Sequence, residues 1–166
     1  YENYQGRDPE DQQSPEYMIV MTTLDSSKYY ARDINLKDGL AEKYREGQVL
    51  TEKAFVDATD RIGGLATTHR YLILSNRMKD ISEFEHGTNW NLHVTNRNSR
   101  FRVLDVYEKN EKTQILLLQL PDGFDQVFEN KISIIKEAID DARALFDRCL
   151  EEEPIEDVST PEWLKR

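Results

Sequence analysis

The chain has 166 residues, a single cysteine and a formal net charge of −10. That length suits one domain able to bury about two-thirds of its unfolded surface, so neither metal nor disulfide is needed for folding. Cys149 alone excludes an intramolecular disulfide scaffold, and no apolar run reaches the ~20 residues that span a bilayer.

The charge is uneven. Residues 1–16 hold Glu2, Asp8, Glu10, Asp11 and Glu16 against Arg7. Residues 151–166 hold Glu151, Glu152, Glu153, Glu156, Asp157 and Glu162 against Lys165 and Arg166. Between 63 and 102 the sign reverses, with Arg70, Arg77, Lys79, Arg97, Arg100 and Arg102 against Asp80, Glu83 and Glu85. An acidic whole repels nucleic acid. The opening stretch has no signal-peptide h-region, and the expected compartment is the cytoplasm.

In chain order, residues 1–16 read as an acidic N-terminal arm without periodicity. Tyr17–Leu24 contains the run Met18-Ile19-Val20-Met21 and predicts a strand covered on both faces, closed by the turn Asp25-Ser26-Ser27. Leu36–Ile62 predicts helix in two stripes, Leu40/Ala41/Tyr44 and Ala54/Phe55/Ala58/Ile62. Thr51 is the expected N-cap of the second stripe, and Gly63-Gly64 the stop.

Arg70–Asn76 predicts a buried strand, and Met78, Ile81 and Phe84 a short helical turn. Asn89–Thr95 alternates, with Trp90, Leu92 and Val94 inward and Asn89, Asn91, His93 and Thr95 outward. Asn96–Ser99 is a turn by composition. Phe101–Tyr107 and Thr113–Leu120 form a hairpin, its second arm central. The stripe Phe128, Ile132, Ile135, Ile139, Ala142, Phe146 and Cys149 predicts a long C-terminal amphipathic helix. Thr160-Pro161 caps a short docking turn for Trp163.

The expected fold is therefore α+β: an antiparallel sheet of about five strands backed by two or three helices. The expected divisions are the arm at 1–16, one α+β domain at 17–153, and a tail at 154–166.

Chemistry-bearing patterns are few. His69, His86 and His93 are close in sequence, yet no His-x-x-x-His spacing or Cys/His cluster signals a metal. Cys149 belongs to the apolar stripe and reads as core. There is no P-loop, no Gly-x-Gly-x-x-Gly and no nucleophile elbow. Two His-x-Thr triplets, His86-Gly87-Thr88 and His93-Val94-Thr95, resemble the paired motifs of two-histidine phosphoesterases, but they lie close together and the family is not assigned.

The expected function is a non-catalytic binding protein of the inhibitor or immunity type, whose acidic surfaces meet a basic protein partner. No catalytic residue, metal, cofactor or membrane is expected, nucleic acid is not an expected partner, and a homodimer is a further option. The alternative is a site for an anionic, nucleotide-like small molecule, with or without phosphoester hydrolysis. It would use the polar sheet face at His69, Trp90, Asn91, His93, Thr95, Arg97, Arg100 and Arg102, where imidazole, amide and guanidinium donors suit an anion.

Overall fold

The structure is a computed structural model that describes residues 14–37, 39, 41–123 and 133–166. It has mixed α+β character. The helices are α1 (Pro15–Ser26), α2 (Ser133–Cys149) and α3 (Pro161–Leu164). The strands are β1 (Lys28–Ile34), β2 (Val49–Glu52), β3 (Val56–Thr59), β4 (His69–Ser75), β5 (Lys79–Asp80), β6 (Leu92–Thr95), β7 (Ser99–Lys109) and β8 (Lys112–Gln119). They form one eight-stranded sheet in the order β2-β7-β8-β4-β1-β3-β6-β5. The expectation of about five antiparallel strands is corrected on two counts. The described residues form eight strands, and β4 runs parallel to β8 in the register His69↔Thr113 to Leu74↔Leu118. Residues 1–13, Leu40, Phe128 and Ile132 lie outside the described residues.

Two further expectations fail for identifiable reasons. Tyr17–Leu24 is helix rather than strand. Ser14 caps it, its Oγ accepting from Tyr17 N at 3.2 Å, Pro15 takes the first turn, and Glu16 faces the positive end of the dipole. This start signal overrides the strand preference of Ile19 and Val20, and it sits inside the stretch read as an arm. Within Leu36–Ile62 the described helix is a single 3-10 turn, Ala41–Lys43. Strand there is confined to Val49–Glu52 and Val56–Thr59, with turns and irregular chain between them. Gly47 turns the chain at φ +83°, and β2 then pairs with β7 while β3 pairs with β1 and β6. The apparent stripe mixed residues of different environments, since Ala58 is buried and Phe55 is 56% exposed.

The sheet separates two apolar layers because successive side chains point to opposite faces. Leu72, Leu74, Leu116 and Leu118 pack toward α1 and α2 with Val20, Ile135 and Ala142. Arg143 pins α2 to β7 through a two-pronged pair with buried Asp105, at 2.7 and 2.6 Å. Ile73, Ile115 and Leu117 face the other way and pack with Tyr30, Ala58, Phe101 and Val103. Among the described residues no helix is long and apolar enough to cross a membrane.

Gly63-Gly64 is not a helix stop. Gly64 lies against the chain that leaves α2, bridging Pro154, and a Cβ there would stand 2.1 Å from the carbonyl oxygen of Glu152. Backbone, not a flexible side chain, would have to yield. Gly64→Ala is expected to cost about 1–3 kcal/mol in urea unfolding, the range for overpacking a tight contact. An unchanged midpoint would show that the segment after α2 gives way freely.

Candidate functional site

The sheet face opposite α1 and α2 carries a cleft of about 440 Å³. Its floor is Tyr71 and Ile73 of β4, Phe101 of β7 and Leu117 of β8, and its walls are raised by β2 and β3. Strand alternation puts these apolar groups on one face. The polar groups come from the rim: Arg32 of β1, Glu52 of β2, Asp57 of β3, Tyr44 after the 3-10 turn, and Arg166. The Tyr44 and Tyr71 hydroxyls hydrogen-bond at 2.7 Å. Burial, then Tyr44, then the Glu52 charge push the Tyr71 phenol upward, so it remains a neutral donor.

Arg32 is the unusual member. One Nη2–H donates to the Arg166 carbonyl. Its Nη1 is buried and finds no hydrogen-bond partner among the described residues. Its guanidinium lies 4.8 Å from the ring centre of Trp163. Burial lowers its pKa and Arg166 adds to that, while Asp57 and Asp33 oppose it. A guanidinium in a protein does not give up its proton. The cleft therefore holds a cation, partly stripped of water, with a donor to spare, and an entering anion would relieve that stress. Across the rim, Arg166 Nε meets Asp57 Oδ2 at 2.8 Å, and Glu52 accepts from Ala54 N at 3.3 Å.

The residues nominated from sequence are dispersed. β4 and β6 are separated by β1 and β3, so His69 and His93 do not share a face site. His69 is half-buried, its Nδ1 2.6 Å from Thr68 Oγ1, and burial lowers its pKa against the pull of Glu108. His93 is 7% exposed and packs 4.9 Å from the Tyr30 ring, donating from Nδ1 to Asn91 O at 2.8 Å. Thr95 is buried and accepts from Gln119 Nε2 at 3.0 Å. The outward face expected for Asn89–Thr95 is therefore covered at His93 and Thr95, while Asn89 stays exposed. Asn91, at φ 49°, breaks the alternation before β6 begins and donates to Asp60. Arg100 is exposed on β7, and Arg102 donates to Gly47 O at 2.6 Å.

Two nominated residues do not line the cleft but contact residues that do. Arg97 stacks 5.0 Å from the ring of Phe55, and Trp90 lies under Arg166 at 5.4 Å. His86 stands in a bend rather than on a strand, so the two His-x-Thr triplets are not paired strand motifs. Cys149 is buried, and burial raises its thiol pKa.

Sequence reasoning missed Arg32, Tyr44, Glu52, Asp57, Tyr71 and Arg166. One legible signal was Tyr29-Tyr30-Ala31-Arg32-Asp33, an aromatic, strand-favouring run carrying charge.

No protein-family model matches the sequence, and no curated protein matches it. Solved structures do resemble the fold. The type III effector XopAI from Xanthomonas axonopodis pv. citri aligns at a TM-score of 0.50 and 17% identity over 59% of this chain and 46% of that one. The ADP-ribosyltransferase HopU1 of Pseudomonas syringae pv. Tomato DC3000 aligns at 0.49 and 18% identity, over 57% and 45%. The Salmonella SpvB ATR domain aligns at 0.48 and 12% identity, over 57% and 62%. At such identities the likeness concerns fold alone, and this chain spans about half of the effector's length. These neighbours overturn the expectation of a non-catalytic, inhibitor- or immunity-type binding protein. They are a type III effector, an ADP-ribosyltransferase and an ATR domain.

Proposed function

We propose that the cleft takes the ADP-ribose portion of a dinucleotide, and that the chain is the donor-binding part of an ADP-ribosyltransferase. The donor would be NAD+ and the acceptor a side chain of a second protein. The observation that carries this reading is the Arg32 guanidinium lining an aromatic-walled cleft, with one nitrogen that has no hydrogen-bond partner among the described residues. A pyrophosphate is a natural partner for a guanidinium with a spare donor. Tyr44, Tyr71 and Phe101 offer apolar faces and two hydroxyls for a base and a ribose. The volume of about 440 Å³ falls within the usual range of ~300–1,000 Å³ for small-molecule sites.

The chemistry would break the bond between ribose C1′ and the nicotinamide nitrogen. Nicotinamide leaves with the electron pair, the acceptor forms the new bond to C1′, and the acceptor's proton is released. Positive charge builds on the ribose as the old bond stretches, and a carboxylate nearby stabilises it. Glu52 and Asp57 are the carboxylates lining the cleft.

Calorimetric titration with ADP-ribose tests the binding half. Saturable one-to-one binding is expected, together with a thermal midpoint that rises with ligand, since 100 times Kd adds about 2.7 kcal/mol. Nicotinamide release from NAD+ by the chain tests the chemical half. No heat, no midpoint shift at millimolar ADP-ribose and no nicotinamide release would end the reading.

A further inference from the structure

Arg32 and Arg166 are tied together by more than the cleft. Trp163 lies 5.2 Å from Trp90, their planes inclined by 48°. Arg32 covers the Trp163 ring at 4.8 Å, and Arg166 covers the Trp90 ring at 5.4 Å. Arg166 closes the circuit, accepting from Arg32 through its carbonyl and pairing with Asp57 through its guanidinium. Cation, ring, ring and cation thus follow one another from the cleft rim to the C-terminal turn and back.

The turn is built to hold that arrangement. Thr160 caps α3, its Oγ1 accepting from Trp163 N at 3.4 Å, and Pro161 opens the helix. Trp163 is 1% exposed and packs with Leu92 and Val158, while Ile81, Trp90 and Val94 flank the cluster. The ring facing Arg32 therefore has little freedom to move. Arg32 itself is a long side chain with one hydrogen bond, to the main chain of the same turn. An aromatic face attracts a guanidinium through its quadrupole and leaves the in-plane N–H groups free to donate.

We infer that the C-terminal turn is part of the ligand site, with Trp163 as the positioning residue that fixes Arg32 and so presents its guanidinium to a pyrophosphate. This rests on the reading of the cleft proposed above. Trp163 need not touch the ligand; it acts through Arg32.

A double-mutant cycle read by calorimetry with ADP-ribose tests it, on the full chain. Trp163→Leu is expected to weaken ADP-ribose binding about tenfold, the scale of losing a desolvated cation–aromatic contact. In an Arg32→Gln background the same substitution is expected to add nothing, because the group it positions is gone. A merely structural role would give equal losses in both backgrounds, and that additivity, or an unchanged affinity for Trp163→Leu, overturns the inference. If Trp163→Leu does not fold, Trp163→Phe keeps a smaller ring. It should weaken binding severalfold, with the same disappearance in the Arg32→Gln background, and equal losses again overturn the inference. Wild-type chain that fails to bind ADP-ribose overturns the cleft reading and this inference together. Arg32→Gln weakening the ligand while both Trp163 variants match wild type overturns this inference alone.

Discussion

Replacing Asp33 by alanine is expected to remove about 3–5 kcal/mol of folding stability, because a buried cation loses its counter-charge. Arg70 is 2% exposed near the start of β4. It grips Asp33 of β1 with two prongs, at 2.7 and 3.0 Å, and donates to Gly63 O at 2.7 Å. Burial works against its charge, and the hydrogen bond and attraction from Asp33 outweigh it. Urea unfolding monitored by far-UV circular dichroism measures the effect. Asp33→Asn should cost less than Asp33→Ala, since its amide oxygen keeps one of the two acceptors, while the charge and the second acceptor are lost. Removing both partners with apolar residues, Asp33→Leu with Arg70→Met, should recover much of the loss, because no lone charge then stays buried. A single Asp33→Ala variant within 1 kcal/mol of wild type would mean that water reaches Arg70.

Arg32→Ala is expected to leave the unfolding midpoint nearly unchanged and to weaken ADP-ribose binding about 10- to 100-fold. The reasoning is the value of a hydrogen bond to a charged group, about 1.5–3 kcal/mol. Arg32 is only half-buried, and its one direct hydrogen bond is to a carbonyl. Its loss therefore costs folding little beyond the ring contact with Trp163. Arg32→Lys should recover only part of the affinity, since an ammonium cannot donate from two positions in a plane. Calorimetry on the three proteins decides it. Equal affinities would move the anion site away from Arg32.

The elements legible in sequence were those whose local signals agree with their surroundings. The runs at Leu72–Leu74 and Ile115–Leu118 are covered on both faces, as continuous apolar strands should be. The Lys109–Lys112 hairpin and the Thr160-Pro161 cap carry their own turn chemistry, and the structure has both. Elements were misread where two signals compete. Met18–Met21 looks like strand until Ser14-Pro15 is weighed as a cap. Ala54–Ile62 has helical spacing by accident, and Val56–Thr59 is held by two neighbouring strands instead. The cleft could not be read, because Arg32, Asp57, Tyr71 and Arg166 meet only through the strand order. His93 was overvalued for a related reason. Alternation says which residues share a face, not whether a neighbouring side chain of the same sheet covers them. Here Tyr30 does.

The parallel contact of β4 with β8 bears on how the chain assembles. β4 is stitched to β1 by Arg70 and Asp33, 37 residues apart, and to β8 by Ser75 and Gln119, 44 residues apart. Neither stitch can be made by a local turn. The central strand must wait for two distant segments to find it, and each search closes a large loop before any reward. Acquisition of the native state thus belongs to the slow, topology-limited regime of milliseconds to seconds rather than to the microsecond regime of helical bundles.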